Sequence, residues 1–356
     1  MEKATPYSNL KIFAHVQKLN DIRDGKRISP IYIRIKPTNY CNHRCYYCSY
    51  ADDELGLRDS VNRQDQISWD KMQEIISDIR DMGVKAVTFS GGGEPLLYPY
   101  IVETMRQILD AKIDLSIITN GQLLKSEKAE VLAKAKWVRI SFDAANAETY
   151  AKIRQVPTTA FYEVCDNISR FAKIKCDNCE LGINFVINHE NATQIYEMAA
   201  MVKKLGVNHI KYTARVSNDL FQYHEPFKQT AIDQIHRAKD DFENDEFRII
   251  NKYESDFDSA LVFHRCYEHC YVNRIFTVIA ADSKVYFCHD KAYVKDGVVG
   301  DLTNQSFKDL WFSQEVIKRY EEFNPQKECN HHCVYDDRNE LLNHYYGLDP
   351  NHINFI

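Results

Sequence analysis

Val84-Lys85-Ala86-Val87-Thr88-Phe89-Ser90-Gly91-Gly92-Gly93-Glu94-Pro95 decides how the chain is read. Its first half is β-branched and aromatic, the composition of a strand, and it runs into three glycines. Working back, Asp70–Met82 has helical periodicity and stops at Gly83, and Ile31–Ile35 reads as an earlier strand followed by a cysteine-rich loop. Working forward, a helix is expected near Tyr100–Ala111, a strand at Leu115–Thr119, the turn Asn120-Gly121 and a helix from Ser126 to Ala135. Strand Val138–Phe142 and helix Ala147–Arg154 come next, then a longer helix over Thr159–Lys173, capped by Thr158 or Thr159. Strand Leu181–Ile187, helix Ala192–Leu205 ending at Gly206, and strand His209–Thr213 complete the series.

Six β-then-α units in succession demand a parallel sheet with right-handed crossovers. Eight would close a barrel. Six imply an α/β fold with a partial (β/α)6 TIM-like barrel, its functional loops at the C-terminal ends of the strands. Arg215–Pro226 reads as a connector and Ala231–Phe242 as a charged amphipathic helix. From His264 the pattern changes to short strands, Arg274–Ala280 and Lys284–Phe287, and a helix near Phe307–Phe323. The expected organisation is an N-terminal extension (1–29), the barrel (30–215), a connector and helix (216–263) and a small C-terminal domain (264–356).

With 356 residues, 44% of them hydrophobic, the chain has ample material for a buried core and too much apolar content for disorder. No apolar run approaches the roughly 18 residues of a spanning helix. No hydrophobic signal segment opens the sequence, so a cytosolic protein is expected. A net charge of -6 argues against a general nucleic-acid or anionic-membrane binder.

Eleven cysteines in a reducing compartment point to metal or redox chemistry rather than to disulfides. Cys41, Cys45 and Cys48 fall within one loop, and three thiolates there suit a [4Fe–4S] cluster that needs a fourth ligand from elsewhere. A Cys₃His zinc site with His43 is the competing reading of the spacing.

Cys41-x3-Cys45-x2-Cys48, with Tyr47 before the last cysteine, resembles the signature of the radical S-adenosylmethionine (SAM) superfamily. Ser90-Gly91-Gly92-Gly93-Glu94-Pro95 is similar to that family's glycine-rich motif, and Thr119-Asn120-Gly121 and Ser141-Phe142-Asp143 fall where its members place further cofactor contacts. The resemblance covers residues 30–215. It implies that Cys41, Cys45 and Cys48 hold a [4Fe–4S] cluster whose open iron chelates the amino and carboxylate groups of SAM. It further implies that Gly92 and Gly93 let backbone approach the methionine moiety and that Asn120 contacts the cofactor. Glu94 has two readings, the family's acidic position in this motif or a bond to the surrounding backbone. Ser141 and Asp143 would bond the ribose and Arg154 the methionine carboxylate, or the three serve as loop caps and ion pairs. Tyr47 would pack by the adenine or the cluster, or serve as a core aromatic.

The C-terminal order of Cys270, Ser283, Cys288, Val299-Gly300-Asp301-Leu302, Phe307-Lys308-Asp309-Leu310-Trp311, Cys329 and Cys333 resembles the SPASM or twitch extension of such enzymes. Five cysteines there suffice for one auxiliary [4Fe–4S] cluster, so the shorter twitch-like form is expected. Cys270, Cys288, Cys329 and Cys333 match the spacing, and zinc is the rival metal. Cys266 is left over, as a substitute ligand, a hydrogen-atom donor or a bystander. Ser283 stands where that hairpin usually has glycine, so a mildly strained left-handed turn is expected. Cys165 reads as a buried apolar residue, and Cys176 and Cys179 as an incidental loop pair.

As the resemblance implies, the substrate is a carbohydrate or other small molecule, with a peptide as the alternative, and the electron comes from an external donor such as flavodoxin or ferredoxin. The roughly 30 residues before the first strand are fewer than a separate leader-binding domain needs. The C-terminal domain is expected to close the barrel mouth as a lid.

Overall fold

The structure is a computed structural model that describes residues 7–51, 60–217, 219–260, 265–331, 333–349 and 351–354. Its centre is one ten-stranded sheet. Six parallel strands come from the predicted units: β1 (Tyr32–Ile35), β2 (Ala86–Phe89), β3 (Asp114–Thr119), β4 (Trp137–Ser141), β5 (Glu180–Ile187) and β6 (His209–Ala214). Alternation along β1 sets the layers. Ile33 and Ile35 are fully buried under the helices, while Tyr32 and Arg34 take the other face, inside the curve of the sheet. The same rule sends Val138 and Ile140 of β4, and Ile210 and Tyr212 of β6, into the helix-covered core.

Two further parallel strands extend this set. β7 (Arg248–Asn251) pairs with β6 in the segment read from the sequence as connector and helix. Its four residues follow an exposed acidic loop, and Ile249 alone among them is buried, so no alternation marks the strand. β8 (Phe276–Ile279) pairs with the opposite edge, in parallel with β1, from Tyr32 opposite Phe276 to Ile35 opposite Ile279. It leads into β9 (Lys284–Tyr286) and β10 (Val298–Asp301), which are antiparallel. The sheet order ends at β7 on one side and β10 on the other, so the barrel is partial, as expected.

Helix limits follow local capping. Ser68 accepts from the Lys71 amide to start helix Trp69–Asp81, and Asn146 accepts from the Thr149 amide to start Ala147–Arg154. Thr158 precedes helix Thr159–Ile174 but makes no side-chain cap, contrary to expectation. The helix expected over Phe307–Phe323 is two, Phe307–Trp311 and Gln314–Glu322, because Ser313 caps the second and so interrupts the first. Residues Val272–Ile275 form a helical turn, so the strand predicted from Arg274 begins at Phe276. Ser283 does adopt φ 59, as expected for the hairpin turn.

The N-terminal extension packs on the C-terminal unit. Ile12 and Leu19 share a core cluster with Phe276, Val278 and Leu342. Trp311 donates from its indole to the Ile28 carbonyl at 2.8 Å, and the Arg27 guanidinium lies over its ring. No helix is long and apolar enough to cross a membrane among the described residues.

Candidate iron–sulfur and cofactor site

The cysteine loop leaves the C-terminal end of β1 and is tied down on three sides. Its backbone bonds the glycine loop after β2, with Gly93 N donating to Thr38 O at 3.1 Å and Glu94 N to Tyr40 O at 2.7 Å. The far side bonds the helix after β4, through Arg44 N to Arg154 O and Tyr46 N to Ile153 O. Within it, Cys48 N bonds Cys45 O. Cys41 is exposed and Cys45 and Cys48 are half-buried, and Cys41 interacts electrostatically with both of them. His43, the fourth ligand a Cys₃His zinc site would require, turns Nε2 to Gln122 Oε1 at 3.0 Å instead.

Gly92 and Gly93 are required by close approach. A Cβ on Gly93 would overlap the Tyr40 carbonyl, and one on Gly92 would overlap the Asn39 side chain and crowd the Tyr293 hydroxyl. Glu94 is buried with both carboxylate oxygens engaged: Oε1 accepts from Leu96 N at 3.0 Å and Thr119 Oγ1 at 2.6 Å, and Oε2 from Asn120 N at 2.7 Å. Two of these three bonds are to backbone amides. Glu94 staples the ends of β2 and β3 together. Asn120 then donates from Nδ2 to Asn42 Oδ1 at 2.8 Å, and Asn42 donates to Gln122, so the third loop also grips the cysteine loop.

The end of β4 supplies the charged part of the site. Asp143 is fully buried and binds Arg154 Nη2 and the Tyr47 hydroxyl through Oδ2, and accepts from Val186 N through Oδ1. Arg154 also donates from Nη1 to Cys45 Sγ at 3.4 Å. Its Nε is buried with no hydrogen-bond partner, a donor left for a further acceptor. The sequence reading treated Asp143, Arg154 and Tyr47 separately, and the structure joins them in one buried cluster beside a candidate cluster ligand. Ser141, one turn of alternation before Asp143, remains half-buried on the interior face.

The four C-terminal thiols meet elsewhere. Cys270, Cys288, Cys329 and Cys333 line one pocket whose walls include Tyr267, Phe287, Phe323 and Tyr335. Burial pushes all four up, Cys329 to about 12. Asn339 donates to Cys270 Sγ at 3.4 Å while its Oδ1 accepts from Val272 N. The segments carrying the cysteines are clamped by Arg265 and Tyr267, both bonded to Asp336.

Residues 35–202 match the radical SAM superfamily, and residues 270–334 match SPASM, an iron–sulfur cluster-binding domain. The chain belongs to the radical SAM superfamily. Its C-terminal unit is of the SPASM type. Among curated relatives, GTP 3',8-cyclase of Microcystis aeruginosa is 31% identical over 199 residues, which are 54% of this chain and 59% of that protein. The probable GTP 3',8-cyclase of Saccharolobus islandicus is 29% identical over 180 residues, 50% of this chain and 54% of that one. The chain thus spans little more than half the length of these two relatives. Among solved structures, Streptococcus suis SuiB bound to precursor peptide SuiA aligns with TM-score 0.61 and 20% identity, covering 90% of this chain and 73% of SuiB. The anSMEcpe structure with bound AdoMet and Kp18Cys peptide gives TM-score 0.59 at 15% identity, covering 92% and 99%.

Radical SAM proteins carry the cofactors expected here: a [4Fe–4S] cluster, SAM and an auxiliary cluster. The residues present fit them. Three gathered thiols with a guanidinium bonded to one, and four thiols around one largely apolar pocket, are the donor sets such clusters take. Among the described residues no three His, Cys, Asp or Glu side chains converge on a point where one metal ion would sit.

The other cysteines lie apart. Cys266 is exposed, 3.8 Å from a Glu340 oxygen, and does not line the pocket. Cys179 is buried at the start of β5, at the end of the barrel away from the cysteine loop, with Cys176 exposed beside it. Cys165 is half-buried against the core. His331 lines the pocket, and His332 lies outside the described residues. Sequence reasoning missed Asn42, Gln122, Tyr293 and Asn339. Asn42 lies within the cysteine motif and the other three outside any motif, and only the fold shows what each of them bonds.

Proposed function

We propose that this chain cleaves SAM reductively and uses the fragment to remove a hydrogen atom from a small-molecule substrate held inside the partial barrel. When bound, the reduced cluster yields methionine and a 5′-deoxyadenosyl radical, which takes hydrogen from an unactivated C–H bond. The observation that carries this reading is the convergence of three strand-end loops on Cys41, Cys45 and Cys48.

In this reading Cys41, Cys45 and Cys48 hold three irons and leave the fourth for SAM. Arg154 orients the Cys45 sulfur and presents its remaining N–H toward the methionine carboxylate, while Asp143 fixes the guanidinium and Tyr47 closes the pair from solvent. Gly92 and Gly93 bring loop backbone close to the methionine end, and Glu94 and Asn120 hold that loop at its height. Ser141 faces the ribose from the interior. Cys270, Cys288, Cys329 and Cys333 would hold one auxiliary cluster, which would supply an acceptor or relay for an electron from the substrate. The net reaction is an oxidation, epimerisation or elimination. The protein works in the cytosol with a flavodoxin- or ferredoxin-type donor.

A small-molecule substrate is supported by the curated relatives named GTP 3',8-cyclase, which align over 54% and 50% of this chain. The peptide-bound structures share the fold at 20% identity or less, a likeness that carries no substrate. The test is anaerobic reconstitution followed by iron counting and dithionite reduction with SAM. About eight irons per chain and formation of 5′-deoxyadenosine are expected. A colourless zinc protein, or cluster-loaded protein that forms no 5′-deoxyadenosine, would overturn the proposal.

A further inference from the structure

The face of the sheet turned away from the helices carries a set of cationic side chains. Register sets Arg34 of β1 opposite Thr88 of β2, Arg139 of β4 opposite Gly182 of β5, and Lys211 of β6 opposite Asn184 of β5. Their sequence neighbours Ile33, Ile35, Val138, Ile140, Ile210 and Tyr212 are buried in the opposite layer, so all three cations point inward. Lys36 continues the inward row after β1, bonded to the Tyr50 hydroxyl at 2.5 Å. Arg34, Arg139 and Lys211 keep partial solvent access, as do Ser141, Asn184 and Thr213. The interior is therefore reached by water rather than packed solid.

These cations feel one another. Burial, then Arg139 and Arg34, push Lys211 down to about 7 against the opposing pull of Asp256. Burial and Arg34 push Lys36 well down, with Asp282 and Asp290 opposing. Among the described residues none of Arg34, Lys36, Arg139 and Lys211 forms an ion pair. The Nε atoms of Arg34 and Arg139 are buried without any hydrogen-bond partner. Burying unpaired charge is costly, and a fold retains such a set where a ligand supplies the missing anion.

Cluster charge does not account for Arg34 or Lys211. Among the resolved interactions, the cations acting on the candidate ligand thiols are Arg154, Arg265, Arg274 and Lys291, with Lys36 acting on Cys48. Of the interior four, Lys36 alone interacts with a cysteine, Cys48, among the interactions resolved for Arg34, Lys36 and Lys211.

We infer that the substrate carries a multiply charged anionic group, a phosphate ester or a polycarboxylate, bound inside the barrel by Arg34, Lys36, Arg139 and Lys211. This rests on the barrel interior being the substrate chamber of the radical SAM reaction proposed above. The planar arginine fork suits either anion geometrically.

The test titrates full-length, anaerobically cluster-loaded protein, without SAM or reductant, with inorganic pyrophosphate, with citrate, and with glucose as the uncharged control. Calorimetry and unfolding temperature are read together. One-to-one binding of pyrophosphate or citrate is expected, weakening as KCl is added, and the anion that binds more tightly identifies the group. Arg139→Gln and Lys211→Met should each weaken binding at least tenfold, whereas Lys134→Met on the exposed surface should not. Lys211→Met removes a disfavoured charge, so it keeps the comparison available if Arg139→Gln does not fold. Anions binding no better than glucose, or equally well to both variants, would overturn the inference. 5′-Deoxyadenosine assayed on the same preparation separates the two ideas: cleavage without anion binding sinks this one alone, and anion binding without cleavage sinks only the radical reaction.

Discussion

Arg154 Nη1 lies 3.4 Å from Cys45 Sγ. The same guanidinium binds the buried Asp143 carboxylate through Nη2, so one side chain links a candidate iron ligand to the end of β4. Both members of the pair are almost inaccessible, with side-chain exposures of 6% and 1%.

Breaking that pair on one side should be far worse than removing both charges. Arg154→Met leaves the fully buried Asp143 without its cation, and a loss of about 3–5 kcal/mol is expected from such a broken pair. The Asp143→Asn/Arg154→Met double variant should recover much of that loss, a coupling that chemical denaturation of the four forms measures. The N–H to sulfur bond also stabilises the reduced, more negative cluster. A more negative reduction potential is therefore expected in Arg154→Met, read by potentiometric titration followed by electron paramagnetic resonance.

Gly93→Ala drives a methyl group into the Tyr40 carbonyl, one residue before Cys41. The cysteine loop must move while the C-terminal pocket is untouched. Iron content should fall from about eight to about four per chain, with the residual absorption that of the auxiliary cluster. The paired variant Cys329→Ala/Cys333→Ala should lose the other four and keep 5′-deoxyadenosine formation measurable.

Glu94→Gln keeps one oxygen but sets an amide N–H₂ against a backbone or hydroxyl donor that now has no acceptor. The expected cost is about 1–3 kcal/mol for a buried group left unsatisfied. SAM should bind more weakly because the glycine loop loses its staple to β3, as equilibrium dialysis would show. A Glu94→Gln protein with wild-type stability would contradict the three bonds seen here.

Lys211 should make stability depend on pH in the alkaline range. Its value falls from 10.5 to about 7 in the fold, through burial and Arg139, with Arg34 and Lys252 adding to the fall and Asp256 opposing it. Between those limits the unfolded chain binds a proton the folded chain rejects, so stability rises with pH from about 7 to about 10.5 and is flat below. Lys211→Met should abolish that slope and raise the melting temperature at neutral pH. The gain comes with loss of anion affinity, a trade between stability and function.

Alternation and motif order made the first six strands legible, because each has a buried face of its own, as Ile33 and Ile35 show on β1. β7 was not, since Ile249 alone of Arg248–Asn251 is buried and the strand lacks a buried face of its own. β8 was read as a strand, but its parallel place beside β1 is a long-range fact that no local pattern encodes. The cysteines were legible by spacing, and the four C-terminal ones share a pocket that excludes Cys266. What Glu94, Asp143 and Arg154 bond to was not legible. A carboxylate that caps backbone and one that meets a cofactor use the same residue types at the same spacing, and only burial and partner geometry tell them apart.

The ladder between Tyr32–Ile35 and Phe276–Ile279 has a consequence for catalysis. The thiols at 41–48 follow one of these strands and Cys288 follows the hairpin begun by the other, so both redox centres are mounted on a single hydrogen-bonded frame. The C-terminal unit is not free to swing like a hinged cover without tearing that frame. The spacing of the two cysteine sets is thus built into the sheet itself. On the proposed function, substrate would enter through the loops or through the open seam between the edge strands β7 and β10.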